Sequence, residues 1–509
     1  MNHTVQLNLY STYRDHFPAL NTVLLTTDSG VTYTYADAEH CSAQVANYLV
    51  ELGLHTGDRV SVQVEKSAEA LWLYLGSIRA GMVFHPLNPA YTDEELRYFL
   101  EDAASSLLVC DSSRVDTLEA LCDSVGTAHL HTLDADGGGT LMQGARRCSL
   151  QFEPVPTMAA DLAALVYSSG TTGRPKGIKL SHQNLVENVT VLVDYWGFGP
   201  DDCLLHALPI YHVHGLFVAI GCVLMSGSSM RWLPGFDVAT ALRHLPYCTV
   251  MMGVPTYYTR LLAEPGFDAR CCSRMRLFIS GSAPLLADTF VEFERRTGHT
   301  ILERYGMTET GMNTSNPLYG VRRAGTVGPP LPGVSVRICD TDNKILGVNE
   351  VGELQVRGTN VFSGYWNLPQ QTASDFTSDG FFITGDQALI DEEGYVAIVG
   401  RSKDMVITGG LNVYPKEIET EIDQFPEVLE SAVIGIPHGD LGEGVVAIVA
   451  LKAPASSINE AAMIAELQKR LAKFKVPKRI VAVAGLPRNA MGKVQKNQLR
   501  ETYNNLFRS

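Results

Sequence analysis

The stretch RVSVQVEKSAEALWLYLGSIRAGMVFHPLNPAYTDEELRYFLEDAASSLLVC, residues 59–110, alternates between strand-like and helix-like patterns. Residues 59–64 alternate between apolar and polar side chains like a strand, and residues 68–79 repeat apolar side chains at helical spacing. Residues 107–110 form a short apolar run that is typical of a buried strand. Strands that alternate with helices of this length predict an α/β fold with mainly parallel sheets.

The same alternation continues along the chain up to about residue 320. Thr92, followed by Glu95 three residues later, predicts a capped helix that begins at Asp93. Further short apolar runs, each followed by a turn and a helical pattern, occur at 161–167, 250–253 and 277–279. We therefore expect a large N-terminal domain of layered sheets with flanking helices.

The pattern changes after about residue 320, where short β-rich segments are separated by Gly or Asp. These segments, which predict a β-rich subdomain over about 320–400, are 326–338, 352–358, 381–390 and 395–399. A polar turn, a strand, a glycine pair and a helix begun by Pro415 follow. We therefore predict two domains, 1–402 and 403–509, the second small and of α+β type, with the boundary near Lys403.

Charge and composition exclude several classes of protein. The chain has 509 residues, with 40 Lys and Arg against 55 Asp and Glu, which gives a net charge of -15. Such an acidic chain lacks the basic surface that nucleic acids and anionic membranes require. Ten scattered cysteines without a CxxC pair suit free thiols in a reducing cytosol. Residues 1–30 resemble no targeting signal and no apolar run could span a bilayer, so we expect a cytoplasmic protein.

One segment departs from the acidic character of the chain. Residues 468–500 contain ten Lys or Arg and no Asp or Glu. The segment can be a solvated helix face, Gln468–Lys475, beside an unrelated loop, or part of a C-terminal domain that meets an anionic ligand. The sequence alone leaves both interpretations open.

The segment YSSGTTGRPKG, residues 167–177, is the strongest local signal for chemistry. Its glycines allow backbone N–H groups to approach phosphate oxygens, its hydroxyls add donors, and Lys176 adds a positive charge. It is not a P-loop, because Lys176 is followed by Gly177 rather than by Ser or Thr. The segment predicts a phosphate-binding loop that follows a buried strand; a plain surface loop is the alternative.

Three further segments carry candidate residues. In ERYGMTET, residues 303–310, Glu309 can ligate Mg²⁺ or lie in an ordinary surface turn. Asp386 ends an apolar strand, where its carboxylate can accept hydrogen bonds from two ribose hydroxyls or cap the following turn. In LPRNAMGK, residues 486–493, Lys493 stands beside a glycine in a loop.

These four segments, in this order, resemble the acyl-adenylate-forming superfamily of acyl-CoA synthetases, peptide-synthetase adenylation domains and luciferases. The resemblance covers nearly the whole chain. It implies that a carboxylate attacks the α-phosphate of ATP, giving an acyl-adenylate and pyrophosphate, and that the thiol of coenzyme A then displaces AMP. It also implies a mobile C-terminal domain that rotates about a hinge at Lys403 between the two half-reactions. The basic 468–500 segment would then place Lys493 in the active site for adenylation, and other lysines of the segment near the phosphates of coenzyme A.

The resemblance also implies a role for each matching residue. The β- and γ-phosphates of ATP would be held by Ser168, Ser169, Gly170, Thr171, Thr172, Gly173 and Lys176. The rest of the nucleotide would be held by Tyr305, Gly306 and Thr308 near adenine and phosphate, and by Asp386 and Arg401 at the ribose. Mg²⁺ would be ligated by Glu309 and Thr171. The catalytic group would comprise Lys493, which bridges the carboxylate and the α-phosphate, with Thr308, Glu309 and His212. The loop facing the site during thioester formation would contain Gly409 and Gly410.

Two arginines bear on which acid is activated. Arg304 precedes the Tyr-Gly of the second segment, and Arg260 ends a segment that resembles the acyl-pocket helix of the superfamily. A guanidinium is costly to bury alone but can bind a carboxylate through two parallel hydrogen bonds. A pocket that contains arginine therefore favours a second carboxylate over a fatty tail, unless the arginines pair with internal acids such as Glu303.

The amino-acid sequence in and around the segments is very similar to that of malonyl-CoA synthetases. The matching stretches are LPIYHVHGLF (208–217), ISGSAPLLAD (279–288), LERYGMTETGMNTSNP (302–317), ITGGLNVYPKEIE (407–419) and LPRNAMGKVQKN (486–497). This similarity implies malonate as the acid, with methylmalonate as a second candidate. The residues that would contact it are Arg260, Ser282, Arg304, His212 and Met307.

Other interpretations remain open at this point. The enzyme can activate another short or aromatic acid, or load a carrier protein that is supplied in trans. A luciferase-like oxygenase and a nucleotide-binding regulator without catalysis are further alternatives. Monomer and homodimer are both compatible with the sequence.

Overall fold

The computed structural model describes residues 5–168, 175–408, 411–438, 441–452, 458–471, 473–489 and 492–507. They fold into two compact units. The first comprises the chain up to Ala324 with 328–335 and 357–380, and the second comprises 325–327, 336–356 and 381–509. The β-rich segment therefore contributes to both units. The boundary near Lys403 stays a prediction.

The first unit alternates strands and helices over most of its length. Its strands are β1 (Val23–Thr27), β2 (Thr32–Thr34), β3 (Arg59–Gln63), β4 (Val83–Pro86), β5 (Leu107–Cys110), β6 (His129–Thr132), β7 (Leu162–Ser168), β8 (Lys176–Ser181), β9 (Cys203–His206), β10 (Ser229–Trp232), β11 (Val250–Gly253), β12 (Leu277–Ser280), β13 (Ile301–Met307) and β14 (Gly311–Ser315). Its helices are α1 (Leu9–Arg14), α2 (Tyr35–Glu51), α3 (Ala68–Arg79), α4 (Asp93–Ala103), α5 (Val115–Val125), α6 (Thr140–Ala145), α7 (His182–Trp196), α8 (Ile220–Ser226), α9 (Val238–His244), α10 (Pro255–Ala263), α11 (Ala287–Thr297) and α12 (Pro369–Ser374).

These strands form two sheets, whose topology confirms the predicted α/β fold. One has six strands in the order β6-β5-β3-β4-β7-β8, and the other has eight in the order β14-β13-β12-β11-β9-β10-β1-β2. In the six-stranded sheet only β7 and β8 are antiparallel. In the eight-stranded sheet only the outer pairs, β1 with β2 and β13 with β14, are antiparallel.

Local sequence features explain where helix α4 begins and how closely helix α3 packs against α2. The predicted capping box at α4 is present, since the Thr92 backbone N–H donates to the Glu95 carboxylate at 2.8 Å and the Thr92 hydroxyl accepts from the Glu95 N–H. Helix α3 is buried on all sides. Gly76 lets it approach α2 closely, because a Cβ at Gly76 would lie 2.6 Å from the Val45 side chain.

The second unit contains an antiparallel sheet and an α+β segment. Its strands are β15 (Ser335–Cys339), β16 (Gly352–Arg357), β17 (Phe382–Ile390), β18 (Val396–Arg401), β19 (Val406–Thr408), β20 (Leu411–Val413), β21 (Val428–His438), β22 (Gly442–Leu451) and β23 (Arg479–Val483), and its helices are α13 (Pro415–Ile422), α14 (Glu460–Leu467) and α15 (Lys496–Tyr503). The first sheet has the order β15-β16-β17-β18, and the second has the order β20-β19-β22-β21, with β23 beside β22. Helix α13 begins at Pro415, as predicted.

The helix face at Gln468–Lys475, one of the two interpretations of the basic segment, is wrong for the described residues. Helix α14 ends at Leu467, and the described residues that follow it form turns. Seven of the ten basic residues between 468 and 500 form ion pairs with acids of the same unit: Lys469, Arg470, Lys475, Arg479, Arg488, Lys496 and Arg500. Most of this positive charge therefore serves the fold of the unit.

A helix that spans a membrane requires a minimum length and hydropathy. None that lies in the described ranges is long and apolar enough to cross a bilayer.

Candidate active site

Arg304 is the most unusual charged residue of the first unit. It lies on β13 and is 3% exposed. In the part of the chain that the structure describes it forms no ion pair, and its Nε and Nη2 donate no hydrogen bond. Glu303, its neighbour, accepts a hydrogen bond from the Leu285 N–H at 3.0 Å instead of pairing with it. Burial lowers the pKa of Arg304 to about 10, which is the direction expected for a cation removed from water.

The dipeptide Gly281-Ser282, directly after β12, forms the surface on which Arg304 rests. A Cβ atom at Gly281 would lie 2.4 Å from the guanidinium carbon of Arg304. Ser282 has a φ of +70°, a left-handed conformation that is uncommon outside glycine and that clusters at functional sites. Its Oγ lies 3.3 Å from Nδ1 of His214. The structure therefore brings Ser282 and Arg304, both predicted to contact the acid, to the same dipeptide.

Two histidines lie at the start of a π-helical segment, His214–Ala219: His214 is its first residue, and His212 precedes it. His214 is 2% exposed, and its Nε2 has no hydrogen-bond partner among the described residues. Burial lowers the pKa of His214 well below its usual value, and the positive charge of Arg304 adds to the effect. His212, the predicted residue, is half-buried just before this segment, and its carbonyl accepts from the Leu216 N–H at 2.9 Å. A π-helical turn often marks a functional site.

Lys66 supports the same segment and was not identified from the sequence. It is 8% exposed, and its ammonium lies 2.7 Å from Nδ1 of His206 and 2.8 Å and 3.1 Å from the carbonyl oxygens of His206 and Leu208. The other ring nitrogen of His206 lies 2.9 Å from the carbonyl oxygen of Gly215, inside the π-helical segment. A lysine between a strand and a helix cap, as in VEKS, is the only sequence signal, and it does not reveal these distant acceptors.

Lys176 and Glu309 lie near one aromatic side chain. The Lys176 ammonium is 4.7 Å from the ring centre of Tyr365 and 3.8 Å from a carboxylate oxygen of Asp375. Burial raises the pKa of Tyr365, and the negative charges of Glu309 and Asp375 add to the rise. The predicted phosphate lysine and the predicted metal ligand are therefore close to the same tyrosine.

The rest of the glycine-rich loop cannot be placed in the same way. Ser168 ends β7 and pairs with Lys176 on β8. The other predicted loop residues lie outside the described residues: Ser169, Gly170, Thr171, Thr172 and Gly173. Their roles stay predictions.

The second predicted segment forms the end of β13 and the turn into β14. Tyr305, Gly306, Met307 and Thr308 are half-buried, and Glu309 is 9% exposed. Gly306 allows β13 and β14 to approach each other closely, because a Cβ there would lie 2.1 Å from the Gly311 carbonyl oxygen. Among the described residues, no group of three or more His, Cys, Asp or Glu side chains could hold a metal ion. One carboxylate suits Mg²⁺, which usually shares its ligands with substrate phosphates and water.

Arg260 differs from Arg304 in its surroundings. It lies near the end of α10 and is exposed. The positive charge of Arg260 slightly offsets the rise that burial causes in the pKa of Tyr257, on the same helix. The structure thus buries one of the two predicted arginines, and the assignment of Arg260 to the acid pocket stays a prediction.

In the second unit, Asp386 and Arg401 face each other on neighbouring strands. They are paired in the register of β17 and β18, and the Arg401 Nε lies 2.9 Å from the Asp386 carboxylate, which is 4% exposed. Lys403 follows two residues later. Burial, and then the charge of Arg401, lowers the pKa of Lys403 to about 8. Gly409 and Gly410, between β19 and β20, lie outside the described residues.

Lys493 is exposed in a tight turn of the second unit. Its N–H donates to the Asn489 side chain at 2.9 Å, and its carbonyl accepts from the Asn489 N–H at 2.9 Å. Gly492 has a φ of +74°, a conformation that glycine adopts without strain. The turn therefore fixes the backbone at Lys493 and leaves its side chain in contact with solvent.

Comparisons with known proteins identify the family to which the chain is similar. Residues 13–366 match the AMP-binding enzyme family, and residues 417–493 match the AMP-binding enzyme C-terminal domain. The chain is 36% identical over 485 residues to malonate–CoA ligase of Arabidopsis thaliana, covering 88% of this chain and 78% of that protein. It is 34% identical over 510 residues to the mitochondrial malonate–CoA ligase ACSF3 of Xenopus laevis, covering 92% and 87%.

A solved structure supports the fold over the full length. The crystal structure of ATP-bound MatB from Rhodopseudomonas palustris superposes with a TM-score of 0.97 at 53% identity and covers 100% of both chains. The enzyme family matches 13–366 and so spans more than half of the sequence. The chain therefore belongs to the AMP-binding enzyme family.

Proposed function

We propose that this enzyme is an ATP-dependent acid–thiol ligase that joins malonate to coenzyme A. The products are malonyl-CoA, AMP and pyrophosphate, and malonyl-adenylate is the intermediate. The observation that carries the choice of acid is Arg304, a buried guanidinium with unused donors beside Ser282 and His214. The Arabidopsis and Xenopus relatives, both named malonate–CoA ligases, support the same choice.

The electrostatics of the pocket explain why a dicarboxylate suits it. An isolated buried cation is unfavourable, because the protein interior solvates it less well than water does. A carboxylate can accept two parallel hydrogen bonds from a guanidinium and neutralise its charge. A fatty tail or an aromatic ring would leave the donors of Arg304 without acceptors, which costs about 1–3 kcal/mol for each buried polar group. Malonate is therefore favoured over monocarboxylates.

The other residues have proposed roles in the first half-reaction. A carboxylate and ATP repel each other, so the protein must hold both and neutralise their charges. Lys176 and the glycine-rich loop bind the β- and γ-phosphates, Tyr305 lies against adenine, and Asp386 with Arg401 binds the ribose. Lys493 provides a point charge between the attacking oxygen and the α-phosphate. Mg²⁺, when bound by Glu309 and the phosphates, supplies additional positive charge.

Several finer features belong to the same proposal. Methylmalonate is a second substrate, and Lys403 is the hinge of a C-terminal domain that changes orientation for thioester formation. Gly409 and Gly410 then line the path of coenzyme A. We place the enzyme in the cytoplasm, as a monomer or homodimer, and we expect no nucleic acid or membrane partner.

A substrate panel tests the proposal. Purified enzyme is supplied with ATP and Mg²⁺ and with malonate, methylmalonate, acetate, butyrate or benzoate, each with and without coenzyme A. We expect pyrophosphate release and a thioester product with malonate, and steady turnover only when coenzyme A is present. Preference for a monocarboxylate would contradict the proposed acid, and full turnover with a carrier protein in place of coenzyme A would contradict the proposed thiol.

A further inference from the structure

His214 combines three features that no other buried histidine of the described residues combines. It is 2% exposed, it contacts the same Gly281-Ser282 dipeptide through Ser282, and the charge of Arg304 acts on it. Its Nε2 has no partner among the described residues. Other buried histidines, such as His182, also have a ring nitrogen without a partner, but His182 lies at the start of α7 and its Nδ1 accepts from the Leu9 N–H.

We propose that His214 is a second substrate-binding residue, which donates a hydrogen bond from Nε2–H to the distal carboxylate that Arg304 binds. This inference rests on the proposed function and extends it by one residue. Ser282 Oγ lies 3.3 Å from Nδ1 of His214, and in the tautomer that the proposal requires, with the ring proton on Nε2, this hydroxyl would donate to Nδ1. A neutral imidazole fits this position, because the adjacent guanidinium already carries the positive charge.

The segment that carries His214 is held from behind, which gives the donor a fixed position. Lys66 donates to Nδ1 of His206 at 2.7 Å, so the proton of His206 is on Nε2 and points to the Gly215 carbonyl at 2.9 Å. Gly215 directly follows His214, and a Cβ at Gly215 would lie 2.0 Å from the Pro209 carbonyl oxygen. These contacts make Lys66 and His206 positioning residues for His214.

Two substitutions of equal polarity and different reach test the role of His214. The side-chain nitrogen of glutamine reaches the position of Nε2, whereas that of asparagine reaches only Nδ1. We expect His214→Asn to lower kcat/KM for malonate by about tenfold to a hundredfold, the value of one hydrogen bond to a charged group. We expect His214→Gln to stay within about fivefold of the wild type on the same scale. The KM for ATP should change less than about twofold in both variants, since Ser282 and Arg304, the neighbours of His214, are not predicted to bind the nucleotide.

A neutral analogue of the substrate separates recognition from general damage. Malonamate replaces the distal carboxylate with an uncharged amide, so its smaller activity should fall less in His214→Asn than that of malonate. His182→Asn is the matched control, because it changes a buried histidine outside the pocket and should leave the KM for malonate unchanged. Equal activity of His214→Asn and His214→Gln with malonate, or a parallel rise of the KM for ATP, would overturn the inference. Failure of the wild type to use malonate would instead contradict the proposed function.

Discussion

At the scale of single residues, Arg304 lowers the stability of the free protein and, in the proposed function, provides the specificity for a dicarboxylate. A buried cation without an anion destabilises the protein that carries it, whereas a well-packed apolar residue at the same place would not. In the proposed function, the favourable partner is the second carboxylate of the substrate, which is present only in the complex. The pocket would then be built for a ligand that removes an electrostatic cost of the free enzyme.

Replacing Arg304 with methionine should separate these two effects. Arg304→Met removes the charge and keeps much of the length, so we expect the free energy of unfolding to rise by about 1–4 kcal/mol. The kcat/KM for malonate should fall by at least about a hundredfold, because two charge-assisted hydrogen bonds are lost. Urea unfolding and steady-state kinetics measure the two changes. A less stable variant that still uses malonate as the wild type does would show that Arg304 is only structural.

Gly281 allows a test that leaves the charge in place. In Gly281→Ala the new methyl group would lie 2.4 Å from the guanidinium carbon of Arg304, so the guanidinium must move. We expect the KM for malonate to rise by about tenfold or more, as for one weakened charge-assisted hydrogen bond, with the KM for ATP unchanged. Gly266→Ala is the control, since nothing lies within 4 Å of its new Cβ. Equal kinetics of the two variants would contradict the placement of Arg304.

The sequence identified Arg304 because many members of the superfamily that it resembles have a small or uncharged residue before the Tyr-Gly of this segment. It did not identify Lys66 or His214 as part of the pocket. Their partners are separated by 140 residues for Lys66 and His206, and by 68 residues for His214 and Ser282. Such contacts depend on the tertiary fold. The exposure of Arg260 could not be predicted from the sequence either, because a helical pattern does not show which face of α10 is covered by the rest of the protein.

At the scale of elements, predictions based on local signals agreed best with the structure. The helix at 68–79 and the strand at 107–110 have the predicted bounds, because periodicity and capping are properties of neighbouring residues. The helix face at Gln468–Lys475, one of the two interpretations, is absent from the described residues. Lys475 instead pairs with Glu417, 58 residues away, and Lys496 pairs with Glu419. A run of like charges therefore says little about which elements supply the opposite charges.

Helix α13 of the second unit predicts a pH dependence of stability. Asp423 is at its C-terminal end, where the helix dipole disfavours an anion. Burial, partly opposed by a hydrogen bond from Ser431, raises the pKa of Asp423 to about 6. The folded protein therefore holds this proton more tightly than the unfolded chain does. Its contribution to stability is present at low pH and is lost as the pH rises from about 4 to about 6.

The substitution Asp423→Asn should remove this loss. An amide resembles the protonated acid. We therefore expect the free energy of unfolding at pH 8, measured with urea, to be about 2 kcal/mol higher in the variant than in the wild type. At pH 4 the two proteins should be nearly equal. Stabilisation of the same size at both pH values would show that packing rather than ionisation is responsible.

At the scale of the whole molecule, the predicted site residues are divided between the two units. Arg304, Ser282, Lys176 and Glu309 belong to the first, and Asp386, Arg401, Lys403 and Lys493 belong to the second. The fold of each unit follows from patterns in its own sequence. The combination of their residues in one reaction does not, and it entered the sequence interpretation through the family resemblance. The hinge at Lys403 remains a prediction for this reason.

Lys493 tests whether the two half-reactions use different residues. Lys493→Ala should reduce the formation of malonyl-adenylate by at least about a hundredfold, because a positive charge on the reacting anions is removed. Thioester formation from supplied malonyl-adenylate and coenzyme A should be largely retained. Lys452→Ala, which removes an exposed lysine of the same unit outside the basic 468–500 segment, should leave both steps intact. An equal loss of both steps in Lys493→Ala would contradict the assigned role.

The central claim is that the acid pocket selects its substrate by a second negative charge. The most direct measurement is ATP–pyrophosphate exchange by the wild-type enzyme with malonate and with its neutral half-amide, malonamate, under identical conditions. We predict a kcat/KM for malonate that is at least about a hundredfold higher, because only the carboxylate neutralises Arg304, and we predict that Arg304→Met abolishes the difference. Comparable exchange with malonamate, or with butyrate, would contradict the claim.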